Sequence, residues 1–381
     1  MSCVSRRTFR NKVTAKKCSF SRRVVNLLLA VTICFTSLHV ATRNGPAQSD
    51  TVSGDSIRKT SDSLHINHYI GMSDLRELLE AHRFFVIETR AGLGNRLRAL
   101  STAAALAKHT RRELLLVWIS DPHAQCRFDE LFETVGMYVS STDVRPLFSR
   151  ADSSIFYDYD TKPGVMINGA VDKHIYVRSG RVLNSTDFDF EDVTHFLQHD
   201  LRLKNLPLEL AMRYSQMQTE IADTTYAVGV HIRMKANLSQ DIPNIETLPN
   251  TDTSAMYNML SSVEHRRGCH VNHFVTRMQA MLRENPKYVF FVSVDSSEAR
   301  TVLKKAAFSN RVRFVMDLDI ELRCQNEHFR QLFCLQVAMV EFKLLAQTSK
   351  LLLSEWSSAS ELVRMLAGSG TETFCGCQQC T

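Results

Sequence analysis

Three short polar clusters in this sequence, each directly after an apolar run, carry the residue types from which proteins build phosphate sites. The clusters are Gly92-Leu93-Gly94-Asn95-Arg96, His231-Ile232-Arg233 and Ser357-Ser358. Glycine lets a backbone approach a ligand closely, a guanidinium binds phosphate through two parallel hydrogen bonds, and the N–H groups at a helix start favour anions. Recognition of a phosphate or diphosphate is therefore the chemistry that these residues could perform together.

The first cluster lies between a predicted strand and a predicted helix. An apolar run at 84–87 precedes it, an Ala/Leu-rich segment follows it, and a second apolar run occupies 114–119. This order predicts a βαβ unit and hence a parallel sheet. The glycines fit either a phosphate cradle or a tight turn that needs unusual backbone angles. Position 97 is leucine and no Gly-Lys-Ser/Thr follows, which argues against dinucleotide and P-loop sites.

The second cluster ends a strand predicted at 226–233. Side chains alternate between the two faces of a strand, so His231 and Arg233 are predicted to point to the same side. There the arginine could hold a diphosphate, and the histidine could meet a base or a sugar. A surface or interdomain ion pair of Arg233 is the alternative. Asp295 ends the strand predicted at 288–294 and could either contact a ligand or cap the next helix.

The third cluster follows a leucine-rich run at 351–353, which is predicted to be the last strand. Ser358 and Glu361 have the spacing of a capping box, so Ser358 is predicted to cap the following helix. Ser357 or Ser360 would then be free to contact a phosphate at the same helix start.

The rest of the chain alternates predicted strands with predicted helices. In the C-terminal half the strands fall at 226–233, 288–294, 312–316 and 351–353, and a long helix is predicted at 327–348. Residues 190–207 are predicted to be helical as well. This alternation predicts an α/β protein with two Rossmann-like parallel-sheet domains, at 73–222 and 223–368, that face each other across a cleft.

The positive charge of the chain is concentrated at its N-terminus. The sequence has 46 Lys/Arg against 40 Asp/Glu, but nine of the basic residues and no acidic residue lie within 1–43. The remainder has 37 basic and 40 acidic residues, so it lacks the basic footprint of a nucleic-acid-binding protein. No nucleic-acid partner is expected.

An apolar segment at 24–41 follows these basic residues. Its length is near the lower limit for a membrane-spanning helix, and the preceding positive charges favour a cytosolic N-terminus. We expect a cytosolic tail at 1–23, a signal anchor at 24–41 and a polar stem at 42–72, with the body in the lumen of the Golgi or endoplasmic reticulum. A cleaved signal peptide with a secreted product is the first alternative, and a mitochondrial presequence is the second.

The cysteines and the glycosylation motifs fit a lumenal body. Three cysteines, Cys375, Cys377 and Cys380, crowd the tail at 369–381. The tail is predicted to be tethered by disulfides, with a zinc site as the alternative. Asn184 and Asn237 begin Asn-x-Ser/Thr motifs and are predicted to carry N-glycans if the body is lumenal.

Three longer blocks of the sequence, taken in order, resemble a known family. The blocks are GLGNRLRALSTAAALA from residue 92, VGVHIR from residue 228 and LLAQTSKLLLSEWSSASELVRMLAG from residue 344. Together they are similar to the GDP-fucose-dependent fucosyltransferase superfamily. That group joins α1,6- and α1,2-fucosyltransferases, the bacterial nodulation fucosyltransferase and the protein O-fucosyltransferases. Residues 140–225 match nothing specific in it.

The resemblance implies a GT-B fold and an inverting, metal-independent transfer of L-fucose from GDP-fucose to a hydroxyl of a glycan or glycoprotein. It implies that Arg233 grips the β-phosphate and that His231 contacts the nucleoside. Asn95 would face the pyrophosphate or the fucose from the other domain, and Asp295 would hold guanine. The implied donor site comprises Gly92, Gly94, Asn95, Arg96, His231, Arg233, Asp295, Ser357 and Ser358.

The resemblance also suggests a catalytic base. An inverting displacement benefits from a group that takes the proton of the acceptor hydroxyl. Asp241 lies ten residues after His231, which matches the spacing of a base-like carboxylate in α1,6 relatives, and Glu246 is the alternative. The catalytic candidates are thus Arg233, Asp241 and Asn95, and no metal or other cofactor is expected.

The sequence departs from the family pattern in three places. Met234-Lys235-Ala236 stands where a second arginine or Gly-Asp is common, Glu341 replaces a usual aspartate, and the phenylalanine common after the serine pair is missing. The alternative function is therefore a non-catalytic lumenal glycan-binding or scaffold protein that keeps the fold. A metal-dependent GT-A enzyme would need Asp-x-Asp, but three unrelated copies, at 158–160, 187–189 and 317–319, indicate chance.

Overall fold

The computed structural model describes residues 68–134, 136–149, 153–186, 188–234, 268–326 and 330–378, with the side chains of 325 and 326 left aside. All of them belong to one structural unit, Asp62–Thr381. The predicted tail, the anchor and most of the stem lie outside the described residues, as do Asn237, Asp241 and Glu246. Among the described helices, none is both long and apolar enough to span a bilayer.

The first sheet has six strands, and every neighbouring pair is parallel. Its order is β1-β5-β3-β2-β7-β6. The strands are β1 (His68–Tyr69), β2 (Phe84–Thr89), β3 (Glu113–Val117), β5 (Met137–Ser140), β6 (Ser154–Asp158) and β7 (His174–Ser179). The central β2 is rich in aromatic and β-branched residues and is buried along its whole length, as expected of a strand that is covered on both faces.

The second sheet has five parallel strands in the order β11-β10-β9-β12-β13. These are β9 (Ala227–Ile232), β10 (Val289–Val294), β11 (Val312–Phe314), β12 (Lys350–Leu353) and β13 (Glu372–Cys375). Two short strands, β4 (Phe132–Glu133) and β8 (Arg202–Leu203), pair antiparallel outside both sheets. The prediction of an α/β protein with two parallel sheets is confirmed, whereas the predicted domain boundaries stay predictions.

Helices connect the strands. They are α1 (Met72–Ala81), α2 (Leu93–His109), α3 (Phe128–Leu131), α4 (Arg145–Phe148), α5 (Phe190–His195), α6 (Leu208–Asp223), α7 (Val271–Glu284), α8 (Ser297–Lys305), α9 (Leu318–Asn326), α10 (Leu332–Leu345) and α11 (Ser358–Ala367). A π-helical turn over Phe196–Asp200 continues α5, and a 3₁₀ turn over Ser309–Arg311 precedes β11.

One buried apolar cluster links the two sheets through α2, α10 and α11. Its members include Ile87, Leu97, Leu100, Val340, Leu351, Leu362 and Leu366. A second cluster covers the other face of the second sheet and contains Val228, Val230 and Ile232 of β9. Because side chains alternate along a strand, His231 lies on the face of β9 that packs against α10 and α11.

Four sequence predictions of secondary structure are wrong. Residues 190–207 do not form one helix, because the π turn ends at Asp200 and β8 then pairs with β4. The helix predicted at 327–348 begins at Leu332, and α9 has no counterpart in the prediction. Residues 351–353 are not the last strand, because β13 adds to β12. The strands β8 and β13 form because they pair with strands elsewhere in the sequence, so the local residue pattern does not predict them.

A disulfide tethers the C-terminal tail, as predicted, because Cys377 is bonded to Cys269. Cys375 in the same tail is also disulfide-bonded. A separate disulfide joins Cys324 to Cys334, outside the tail. The backbone N–H of Gly376 also donates to the carbonyl of Leu353, which extends the pairing of β12 into the tail. The tail is therefore part of the second sheet and is linked covalently to the turn before α7.

Candidate active site

The first turn of α2 does not use its glycines for unusual backbone angles. Gly92 is the N-cap with a φ of −72°, and a Cβ at this position would meet no atom within 4 Å. The residue in the left-handed region is Ala91, with a φ of +64°. The alternative interpretation, that these glycines supply the unusual angles of a tight turn, is wrong, because Ala91 makes the turn.

Gly94 is required for close packing against α11. A Cβ on Gly94 would lie 2.9 Å from the carbonyl oxygen of Ser358, 3.0 Å from its carbonyl carbon and 3.1 Å from the backbone nitrogen of Ala359. All three atoms belong to the backbone, so no side-chain rotation could relieve the contact. The starts of α2 and α11 therefore meet at Gly94 and Ser358, and we call this contact the helix junction.

Arg96 is buried in the protein and is not available to a ligand. Its guanidinium lies 4.7 Å from the ring centre of Trp118 and 2.7 Å from the carboxylate of Asp121. It also donates to the carbonyl oxygens of Ala91 and Ile119, at 2.8 and 2.9 Å. The burial of Arg96 does not support its predicted contact with a donor, because these contacts hold the turn before α2 in place.

Asn95 is connected to both halves of the protein through Arg98. The side-chain oxygen of Asn95 accepts a hydrogen bond from Arg98 at 2.6 Å, and Arg98 also donates to the carbonyl of Gly180 at 3.3 Å. Arg98 forms an ion pair with Glu361 of α11. Burial lowers the pKa of Arg98 to about 10. The sequence offers no local signal for this pair, because its partners are more than two hundred positions apart.

His231 is buried and faces the helices, so its predicted contact with a nucleoside is not supported by its position. Its Nδ1 lies 2.7 Å from the hydroxyl of Ser360, and its ring packs edge-on against Phe342 at 6.0 Å. Burial lowers the pKa of His231 to about 4, although Asp295 acts in the opposite direction. The imidazole is therefore neutral at physiological pH and binds the first turn of α11.

Arg233 lies just beyond the end of β9, at the carboxyl edge of the sheet. Its guanidinium is 3.2 Å from the carboxylate of Asp295 and keeps 30% of its side-chain surface exposed. Its backbone N–H donates to the hydroxyl of Ser354 at 2.8 Å. The ion pair that was the alternative interpretation is thus present, and it leaves part of the Arg233 side chain open to solvent.

Asp295 organises the turn after β10 and is not a helix cap. It accepts a hydrogen bond from the backbone N–H of Met234 at 2.9 Å in addition to its pairing with Arg233. The cap of α8 is Ser296, whose hydroxyl accepts from the N–H of Ala299. Asp295 therefore fixes the segment that carries Arg233.

The serines of α11 have different roles from those predicted. Ser357 is the N-cap, and its hydroxyl accepts from the backbone N–H of Ser360. Ser358, predicted as the cap, is the first helical residue and contributes its carbonyl to the helix junction. Ser360 is not free for a phosphate, because its hydroxyl contacts His231. The capping-box spacing of Ser358 and Glu361 fails because Glu361 pairs with Arg98 instead.

The sequence prediction missed a buried carboxylate at the carboxyl end of β2. Glu88 accepts hydrogen bonds from Arg145 and from the hydroxyl of Tyr176, each at 2.9 Å, and also pairs with Arg90. Burial alone would raise the pKa of Glu88, but these hydrogen bonds outweigh it and lower that pKa. An acidic residue inside an apolar strand is the signal that could have revealed it.

A second carboxyl to which the sequence prediction gave no role in the site is Glu341 on α10. Burial raises the pKa of Glu341 to about 8, and the charge of Glu321 acts in the same direction. A hydrogen bond with Ser293 of β10 acts in the opposite direction. The group lies on the side of the second sheet where Asp295 and Arg233 end their strands, and its position in a strongly apolar helix marks it in the sequence.

The structure brings two of the predicted clusters together at the helix junction and joins the third to it through His231 and Ser360. Within the described ranges, no group of three or more His, Cys, Asp or Glu side chains is placed to hold a metal ion. Asp241 and Asn237 lie outside those ranges. Asn184 is exposed, and its side-chain amide donates to the carbonyl of Gly164 at 2.9 Å.

No protein-family model and no curated protein matches this sequence. Solved structures that are similar to it include the fucosyltransferase NodZ from Bradyrhizobium, at 15% identity and a TM-score of 0.42, covering 75% of this chain and 93% of that chain. A mutant of FUT1 from Arabidopsis thaliana in complex with GDP has 12% identity and a TM-score of 0.46, covering 80% of this chain and 74% of that chain. POFUT1 in complex with GDP has 14% identity and a TM-score of 0.42, with 77% and 97% covered. At these values the similarity alone assigns no activity to the chain.

Proposed function

We propose that this chain is a GT-B-like fucosyltransferase that moves L-fucose from GDP-fucose to a hydroxyl of a glycan or glycoprotein, with inversion and without a metal ion. The observation that carries the proposal is the position of Arg233. It lies at the carboxyl edge of a parallel sheet, partly exposed, and Ser354 connects its backbone to the turn that leads into the helix junction. Ligands of open α/β sheets bind at this edge.

The electrostatics of the helix junction favour a diphosphate. Each helix start carries a partial positive charge, and the first turn of α2 contains no acidic residue. The acidic residue in the first turn of α11, Glu361, is already paired with Arg98. Because no unpaired acidic side chain in either first turn neutralises the two helix starts, their partial positive charges remain, and an anion beside Arg233 would be stabilised there.

Arg233 would stabilise the charge that develops on the departing GDP. Transfer breaks the bond between fucose and the β-phosphate and adds a negative charge to the departing diphosphate, and a fixed cation stabilises that charge most when it needs no reorganisation. Asp295 holds the guanidinium from one side while the exposed part stays available. Asn95, held by Arg98 on the opposite side of the junction, would contact the pyrophosphate or the sugar.

His231 would act on the donor site through α11 and not through direct contact. The neutral imidazole binds Ser360, whose N–H is in turn bound by the cap Ser357. This arrangement fixes the helix start against which the diphosphate would lie. Ser357 and Ser358 would then contribute through backbone N–H groups, since the hydroxyl of Ser357 is used as the cap.

A direct test uses residues 42–381 and measures GDP and GDP-fucose binding by calorimetry and GDP release on an acceptor panel. Arg233→Ala is expected to lower the rate of transfer about 10²–10³-fold, since it removes one stabilising group from the transition state. The transfer rate of Arg233→Lys should lie between those of the wild type and Arg233→Ala, because lysine keeps the charge but lacks the bidentate geometry of arginine. The matched control is Arg277→Ala, an exposed arginine on α7. Failure of the wild type to bind GDP would remove the donor hypothesis.

Two further parts of the proposal have separate tests. Transfer should persist in EDTA, and loss of activity that manganese restores would overturn metal independence.

Asp241 is proposed as the base that takes the acceptor proton, with Glu246 as the alternative. Asp241→Asn should lower the rate at saturating substrates, whereas Glu246→Gln should not.

A non-catalytic glycan-binding or scaffold function is the second candidate. The pairing of Arg233 with Asp295 and the burial of His231 favour it, because both side chains already have protein partners. The two functions differ in turnover. Release of GDP with any acceptor on the panel supports the enzyme, whereas glycan binding without GDP affinity supports the scaffold.

We also propose that the chain is a single-pass type II membrane protein whose body lies in the lumen of the Golgi or endoplasmic reticulum, with secretion after signal cleavage as the alternative. The apolar segment at 24–41 and the preceding basic residues support this. The disulfides Cys269–Cys377 and Cys324–Cys334, both within the described residues, are consistent with an oxidising compartment.

A further inference from the structure

The turn after β12 is connected to Arg233 through Ser354. The backbone N–H of Ser354 donates to the carbonyl of His231 at 3.0 Å, and the hydroxyl of Ser354 accepts from the backbone N–H of Arg233 at 2.8 Å. Arg233 lies beyond the last residue of β9, and Ser354 is buried. A shift of Ser354 would therefore move the backbone that carries the Arg233 guanidinium.

The next residue, Glu355, lies against both cysteines of one disulfide. The backbone N–H of Glu355 donates to the Sγ of Cys377 at 3.2 Å, and the carbonyl oxygen of Glu355 is 3.8 Å from the Sγ of Cys269. Cys269 and Cys377 are bonded to each other, and both are buried. The disulfide therefore contacts the backbone one residue after Ser354, in a segment that we call the Ser354–Glu355 turn.

The tail that supplies Cys377 is fixed on both sides of this contact. On one side, the backbone N–H of Gln378 donates to the carbonyl of Gly268 at 2.8 Å. On the other side, a Cβ on Gly376 would overlap the ring of Phe274, so the tail packs closely against α7. The disulfide then joins this fixed tail to a segment 108 positions earlier in the sequence. The Ser354–Glu355 turn thus rests on a covalently closed support.

We propose that the Cys269–Cys377 disulfide positions Arg233 for a diphosphate by holding the Ser354–Glu355 turn, an inference that rests on the fucosyltransferase function proposed above. A group that binds a ligand must be held within about 0.5 Å of its productive position. Because Arg233 lies past the end of its strand, its position depends on the turn beside it. The disulfide is then a positioning bond of the donor site, in addition to a tether of the tail.

The preference for GDP over GMP tests this inference. GMP keeps the base and the ribose of GDP but lacks the terminal phosphate that Arg233 would hold. In the full chain, the double substitution of Cys269→Ser and Cys377→Ser should lower the ratio of GDP affinity to GMP affinity about tenfold and change GMP affinity less than about twofold. Both affinities are measured by calorimetry, at a temperature at which circular dichroism shows each protein to be folded.

The disulfide between Cys324 and Cys334 supplies the matched control, since it joins α9 to α10. Its removal by Cys324→Ser and Cys334→Ser should leave the ratio within about twofold of wild type, because distant sites act independently. Ser354→Ala keeps both disulfides but breaks the connection to Arg233 at its other end. This variant should also lower the ratio, and it tests the same connection if the double variant does not fold.

The outcomes are distinguishable from those of the proposed function. If the wild type binds GDP but loss of the Cys269–Cys377 bond or Ser354→Ala leaves the ratio unchanged, the positioning inference fails and the proposed function stands. If loss of that bond weakens GDP and GMP equally, or if the control lowers the ratio as much, the disulfide is only structural and the inference again fails. If the wild type binds no GDP, both fail.

Discussion

Replacing Gly94 with alanine tests whether the contact between α2 and α11 is as close as the structure indicates. The added Cβ would lie 2.9 to 3.1 Å from three backbone atoms of Ser358 and Ala359, so a helix must shift to accommodate it. Overpacking of this kind costs about 1–3 kcal/mol. Alanine recovers up to about 1 kcal/mol in helix propensity and chain entropy. We therefore expect a net loss of stability of about 1–2 kcal/mol.

Gly92 supplies the matched control, two residues away in the same turn. A Cβ on Gly92 would meet no atom within 4 Å, and its backbone angles, φ −72° and ψ 169°, are open to any residue. Serine is a favourable N-cap, so Gly92→Ser should change the free energy of unfolding by less than about 0.5 kcal/mol. The two variants thus differ in the close contact and not in the loss of a glycine.

The measurement is urea unfolding of residues 42–381, monitored by far-UV circular dichroism, with GDP affinity as a second readout. Gly94→Ala should unfold at lower urea than wild type and bind GDP more weakly, because the helix junction would widen. Helix propensity acting alone would give the opposite sign. An increase in stability for Gly94→Ala would therefore refute the close packing, and with it the location of the junction.

Two other predictions concern pH and location. The pKa of His231 falls from 6.5 in the unfolded chain to about 4 in the folded protein. The stability contributed by the neutral imidazole is therefore complete above pH 6.5 and is lost as the pH falls toward 4, and at pH 5 the loss is about 2 kcal/mol. When urea unfolding at pH 7.5 is compared with pH 5, His231→Gln should remove that part of the difference in unfolding free energy. If the two proteins lose stability in parallel, His231 is not buried in the neutral form. Asn184 is exposed, so the full chain expressed in secretory-competent cells should carry an N-glycan at this residue. Treatment with PNGase F should then shift the electrophoretic mobility of the protein, and Asn184→Gln should reduce that shift. No shift in the wild type would contradict a lumenal body.

The strands and the main helices of this fold can be predicted from the sequence because their signal is local. β2 and β9 are continuous apolar runs that are buried along their length, and glycine or polar residues end both. β13 and β8 cannot be predicted in this way, because β13 exists through pairing with β12 and β8 through pairing with β4. Their residues are ordinary for loops, and only partners far away in the sequence make them strands.

In the candidate site, too, the features with a local sequence signal can be predicted and the contacts between distant segments cannot. The positions of Arg233 and the two helix starts follow from strand ends and can be predicted from the sequence. The partners of their side chains cannot, because those contacts cross between distant segments. Arg98 binds Glu361 and His231 binds Ser360, and neither pair leaves a local pattern. The capping-box prediction fails for the same reason, since Glu361 has a stronger partner in α2 than the N-cap of its own helix.

Motif residues in this chain therefore serve two purposes, and burial separates them. Arg96 and His231 belong to the blocks that resemble the family, yet both are buried and hold the helix starts in place. A side chain that contacts a donor must instead keep exposed surface, a condition that Arg233 satisfies. A substitution at Arg96 or His231 should thus act on stability and on activity together, whereas the main effect of one at Arg233 should be on ligand binding or transfer. That separation distinguishes the scaffold of the site from its chemistry.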